Sequence, residues 1–107
     1  MSREGLTAMT KVEVVVAGAD VPVVRGLLES AQVAGWTSVS NVSGLGHGGL
    51  HQGGLLFNQR DTLSLLITVV PDDKAGAVVA GLRELLADRS GVMFVSDTYV
   101  SRPEYFR

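Results

Sequence analysis

The sequence predicts an α+β domain with elements in the order β-α-β-β-α-β. That order is the ferredoxin-like arrangement: a four-stranded antiparallel sheet with two helices on one face. Three observations predict it. Segments 11–17, 36–43, 62–70 and 92–100 are β-branched or alternate with a period of two. The first and third of these are each followed by a stretch with 3.6-residue apolar periodicity. The second and third are joined by an insert without periodicity, Gly44-Leu45-Gly46-His47-Gly48-Gly49-Leu50-His51-Gln52-Gly53-Gly54.

Taken in order, residues 1–9 read as a frayed, flexible end. Lys11 to Ala17 is a strand with Val12, Val14 and Val16 on one face. Gly18-Ala19-Asp20 breaks it, and Asp20 is placed to cap a helix that tolerates Pro22 in its first turn. Val24, Leu27, Leu28, Ala31 and Ala34 line one side of that helix, and Gly35 is a natural residue to end it. Trp36 to Ser43 alternates as a half-polar, bulged strand. Thr62 to Val70 is the most apolar strand and suits a central position buried on both faces. Pro71-Asp72-Asp73 stops it and caps a second helix, whose stripe is Ala75, Val78, Val79, Leu82, Leu85 and Leu86. Asp88-Arg89-Ser90-Gly91 is a turn before the last strand. Residues 101–107 form a tail whose two aromatics read as a docking element. Helices cover only one sheet face, so the apolar second face predicts burial by oligomerisation.

Composition bounds the function. The chain has 107 residues, 46% of them hydrophobic and 19% charged, which suits one globular domain. A net charge of −2 argues against a sequence-independent nucleic-acid binder, which needs a basic face. The absence of cysteine excludes disulfides and thiolate metal ligands, and fits a reducing cytoplasm. No apolar run approaches the roughly 20 residues of a membrane span, and the first residues do not read as a signal peptide. The expected compartment is the cytoplasm.

The insert is the candidate site. Six glycines fall between residues 44 and 61. Glycine loses more backbone entropy on folding than any other residue, so the cluster needs a reason. Close approach to a ligand is one, and ordering on binding is another. Successive N–H groups in a glycine-rich turn form an anion-binding concavity. Arg60, Arg89, Arg102 and Arg107 offer forked donors for an anion. The pattern is neither a Walker nor a dinucleotide fingerprint, since Gly44-x-Gly46 opens no helix. His47 and His51 could serve a divalent metal, with Gln52 and Asp61 nearby, but Gly48-Gly49 removes the helix that would align them. No histidine, serine or carboxylate is paired as a nucleophile with its base, so no enzyme is expected.

In these positions the chain resembles the PII signalling proteins. The resemblance rests on Val42-Ser43-Gly44-Leu45-Gly46 leading into a long loop, on Val69-Val70-Pro71-Asp72-Asp73 opening the second helix, and on Gly91-x-x-Phe94-Val95 in the last strand. It covers residues 10 to 100. It implies a homotrimer with sheets facing inward and adenine nucleotide held in clefts between subunits. Residues 44–61 would be the T-loop that reports ligand state to a partner. By the same resemblance Gly44, Leu45, Gly46 and His47 would meet the nucleotide, and Val69 the adenine, with Thr37 or Ser38 from a neighbouring subunit. Ser90 and Gly91 would lie near the phosphates, with Arg102 close by.

The departures narrow the reading. Gly48 stands where nitrogen-sensing PII proteins have the glutamine that holds magnesium and 2-oxoglutarate. Leu63 and Val92 stand in place of two lysines, and Pro103 and Tyr105 in place of the paired C-terminal arginines. No tyrosine lies in the loop for uridylylation. Fewer cations disfavour a triphosphate most, so ADP or AMP is the expected ligand, with no tightly bound cofactor. The histidine-glycine loop resembles the carboxysome-associated, bicarbonate-responsive PII-like branch, which implies signal transduction to a membrane bicarbonate transporter. Gly46, His47, Gly48 and Arg60 would then bind bicarbonate. Leu50, Leu55, Leu56 and Phe57 would present the surface for the partner, at the inner face of the membrane.

Overall fold

A computed structural model describes residues 3–43 and 62–107. The described residues form β1 (Thr7–Ala17), α1 (Val21–Ser30), β2 (Thr37–Val42), β3 (Leu63–Val70), α2 (Asp72–Leu86) and β4 (Gly91–Val100). Short 3₁₀ turns stand at Gly18–Asp20 and Pro103–Tyr105. The sheet order is β2-β3-β1-β4, and every neighbouring pair is antiparallel. The ferredoxin-like α+β fold read from the sequence is the fold observed.

One face of the sheet carries the core. Val12, Val14 and Val16 of β1 and Leu66 and Val70 of β3 pack against Val24 and Leu28 of α1 and Val78 and Leu82 of α2. Period two in the strands and 3.6 in the helices bring these side chains to one layer. The α2 stripe is as the periodicity predicts, with Ala75, Val79, Leu85 and Leu86 flanking the buried pair.

Element ends depart from the sequence reading. β1 begins at Thr7, because Thr7 to Thr10 pair with Val100 to Asp97 of β4, and Met9 and Thr10 are buried. The frayed end expected over 1–9 is therefore strand from residue 7. α1 stops at Ser30 and excludes Ala34. Gln32, at φ 58°, takes the left-handed position that Gly35 was expected to fill. The Gln32 N–H donates to the Glu29 carbonyl and the Val33 N–H to the Leu28 carbonyl, the paired bonds of a Schellman ending. Asp20 precedes α1 but makes no side-chain cap, since Gly18–Asp20 already turns as a 3₁₀ helix. Its carboxylate lies 3.8 Å from Arg89 Nε instead. Pro71 holds the cap position of α2, and Asp72 accepts the Thr10 hydroxyl at 2.7 Å.

Among the described residues no helix covers the second face of the sheet. Val15, Leu65, Ile67 and Val69 are half-buried there, and Val39, Val92 and Phe94 are exposed. β3 is interior, between β2 and β1; its helix-facing side is buried throughout, while on its open side only Leu63 is buried. Burial on both faces, expected for Thr62 to Val70, is not complete among the described residues of one copy.

Candidate functional site

A cleft of about 200 Å³ opens where β2 begins beside the end of β3. Gly35, Trp36 and Thr37 form one side, Ile67 and Val69 the floor, and Tyr105 and Phe106 the other side. Thr37 pairs with Ile67 in the ladder, so both stand on the open face of the sheet, with Val69 two residues on. The connection before β2 is fastened from behind. Thr68, pointing to the helix side, donates its hydroxyl to the Gly35 carbonyl at 2.8 Å. Lys74 Nζ of α2 donates to the Gln32 carbonyl at 2.7 Å. The strand alternation thus lets Val69 face the cleft while its neighbour Thr68 holds the cleft wall.

Thr37 and Val69 belong to the same cleft in one chain, so Thr37 needs no neighbouring subunit to meet Val69. Ser38 pairs with Leu66 and lies on the opposite side of β2. Trp36, Tyr105 and Phe106 were not among the site residues read from the sequence. The signal available was their scarcity, since the chain has one Trp, two Tyr and three Phe, and two of these six crowd the tail.

Ser90 and Gly91 lie at the other end of the sheet. Gly91 pairs with Val16, while Val69 pairs with Lys11, five residues away along β1. That is on the order of 17 Å along the strand and about 10 Å across two strand spacings. Gly91 stands at φ 147°, and an added Cβ there would lie 3.0 Å from the Val15 carbonyl oxygen and 3.0 Å from Val16 Cγ1. The stems of residues 44–61 emerge at this same end: Leu63 pairs with both Ala17 and Val42, and the Gly18 N–H donates to the Thr62 carbonyl at 2.7 Å. β2 reaches that end through a bulge between Ser40 and Val42, with Asn41 at φ 62°. Arg89, one of the candidate anion donors, is turned to Asp20 and to the Leu85 carbonyl. Arg102 sits over the Tyr105 ring, 5.8 Å from its centre, beside the cleft.

Gly44, Leu45, Gly46, His47, Gly48, Leu50, His51, Leu55, Leu56, Phe57 and Arg60 lie outside the described residues. Among the described residues no group of three or more His, Asp or Glu side chains is placed to hold a metal ion. No helix among them is long and apolar enough to cross a membrane.

The family model for nitrogen regulatory protein P-II matches residues 9–105. The chain belongs to the PII family. Among solved structures, this PII protein is similar to CPII of Thiomonas intermedia K12 bound to ADP and bicarbonate. Identity there is 36% over 95% of this chain and 97% of that one, with a TM-score of 0.80. CPII bound to ADP, AMP and acetate gives 35% identity over 95% and 97%, with a TM-score of 0.79. The apo form of CPII gives 34% identity over 89% and 94%, with a TM-score of 0.72. No curated protein matches the chain. The chain is thus a PII-like regulatory protein, and its sheet, helices and loop stems are the frame of that family.

Proposed function

We propose that this protein is a cytoplasmic, non-enzymatic sensor, a homotrimer that binds ADP or AMP together with bicarbonate. The observation that carries the reading is the likeness to CPII, a protein one-third identical over nearly its whole length that is found with ADP, AMP and bicarbonate. The geometry supports a site shared between subunits. The loop stems and the Ser90–Gly91 turn stand at one end of the sheet and the Thr37–Val69 cleft at the other. A single nucleotide touching both groups therefore needs two copies of the chain. Inward-facing sheets would also cover Val39, Val92 and Phe94.

In the proposed mechanism, Gly44, Leu45, Gly46 and His47 meet the nucleotide of one subunit, with Ser90 and Gly91 by the phosphates. Val69, Thr37 and Arg102 come from the neighbour. Bicarbonate sits against Gly46, His47, Gly48 and Arg60, whose forked guanidinium matches a planar anion. The two ligands shift the population of residues 44–61 toward a conformation that presents or hides Leu50, Leu55, Leu56 and Phe57. The partner proposed for that surface is a membrane transporter of bicarbonate, in cells that fix carbon in carboxysomes.

Calorimetric titration of ADP, with and without bicarbonate at fixed pH and ionic strength, tests the reading. Tighter ADP binding with bicarbonate is the expected result, and the coupling must be reciprocal. ADP binding that ignores bicarbonate removes the carbon-sensing part. No nucleotide binding in either titration removes the whole reading.

A further inference from the structure

The open face of the sheet, which the trimer reading turns inward, carries charge at one place. In the ladder the row Thr37–Ile67–Glu13–Phe94 crosses all four strands, and Val69, Lys11 and Ser96 form the row beside it. Among the strand residues described on that face, Lys11 and Glu13 are the only two charges. Both stand on β1, an interior strand, so each sheet edge and its water lie at least one strand away. Lys11 Nζ is 3.9 Å from Glu13 Oε1, and the two side chains are 37% and 29% exposed. That separation is beyond a hydrogen bond, so the three ammonium donors and the carboxylate lone pairs are not used on each other. In one copy water completes both groups, and a pair so exposed adds little to stability. Covering the face with other copies removes that water. Two charges buried with only a loose mutual contact cost more than they return, and the Ile67 and Phe94 side chains beside Glu13 offer no hydrogen bond. The same two groups on the next copy supply what is missing. A cyclic arrangement sets one residue of each copy against a different residue of the next, so every Glu13 can meet a neighbouring Lys11.

We propose that Glu13 of each subunit pairs with Lys11 of the next at the centre of the interface, and that this ring sets the register of the copies. The proposal rests on the trimer reading above and adds to it. Apolar faces slide past one another at little cost, whereas a buried ionic pair is satisfied in one register.

Sedimentation velocity on the full-length protein over a dilution series tests it, with far-ultraviolet circular dichroism to check folding. Glu13→Lys sets like charges against each other and is expected to give folded monomers, as is Lys11→Glu. Mixed in equal amounts, these two monomeric variants are expected to assemble, because each supplies the charge that the other lacks. The double variant with Lys11→Glu and Glu13→Lys is expected to form trimers on its own. Glu13→Gln keeps the shape and is expected to raise the dissociation midpoint about tenfold, as loss of a charged hydrogen bond costs. Trimers as stable as wild type in Glu13→Lys overturn the proposal. So does a double variant that assembles while the mixture does not, since the pair then acts within one chain. If charge reversal unfolds the chain, the Glu13→Gln midpoint decides, and an unchanged value overturns the ring. If the wild-type protein sediments as a monomer, the trimer reading fails first and the ring with it.

Discussion

Thr68 donates its hydroxyl to the Gly35 carbonyl at 2.8 Å, joining the helix-facing side of β3 to the loop that walls the cleft. The two residues are 33 positions apart in the chain, and the bond sits directly behind Val69. Thr68→Val keeps the shape and removes the donor. It is expected to lower stability by about 1–2 kcal/mol, because the buried site loses one bond. ADP affinity should fall with it, as the Gly35–Thr37 wall loses its anchor. Thermal unfolding and calorimetry on the same variant check both. Unchanged ADP affinity would show that the wall holds without Thr68.

Gly91 is the residue whose backbone no side chain can share. Its φ of 147° lies where side chains are rarely accommodated, and a Cβ there would press on the Val15 carbonyl, Val16 and Leu86 at 3.0–3.1 Å. Gly91→Ala is expected to cost about 2 kcal/mol or more, since all three neighbours belong to packed elements. Chemical denaturation measures it. A loss below about 0.5 kcal/mol would mean that β4 shifts freely, contrary to its long pairing with β1.

Phe94 is 56% exposed on the open sheet face, opposite Glu13 in the ladder. If three copies bury that face, a charge placed there loses its water without gaining a partner, at a cost of several kcal/mol per subunit. Phe94→Asp is therefore expected to give monomers that keep their secondary structure. Sedimentation velocity and far-ultraviolet circular dichroism test it together. A trimer that survives the substitution sinks the inward-facing arrangement.

Arg60 carries the proposed anion contact. Arg60→Ala is expected to erase the gain in ADP affinity on adding bicarbonate, a coupling of about fivefold or more, while ADP alone binds as before. Titrations of the variant with and without bicarbonate decide it. A retained coupling would place bicarbonate elsewhere.

Much of the frame was legible in the sequence because its signals are local. The alternation of Val12, Val14 and Val16 and the stripe from Ala75 to Leu86 each need only a short window, and together they determined element order and fold class. The likeness of the segments around Gly44, Pro71 and Gly91 placed the chain among PII proteins, which the family match confirms. Element ends were less legible, since they depend on partners far along the chain. Thr7 to Thr10 are strand because β4 pairs with them, and α1 stops at Ser30 before a turn whose Gln32 carbonyl accepts Lys74. Thr37 and Val69 were legible as candidate contacts, but the aromatic walls of their cleft belonged to the tertiary structure. Trp36 and Tyr105 line one cleft only once β2 lies beside β3 and the tail folds back, and no periodicity encodes a juxtaposition across 69 residues. The separation of Gly91 from Val69 by the length of the sheet was decided the same way, because strand register is a property of pairs of strands.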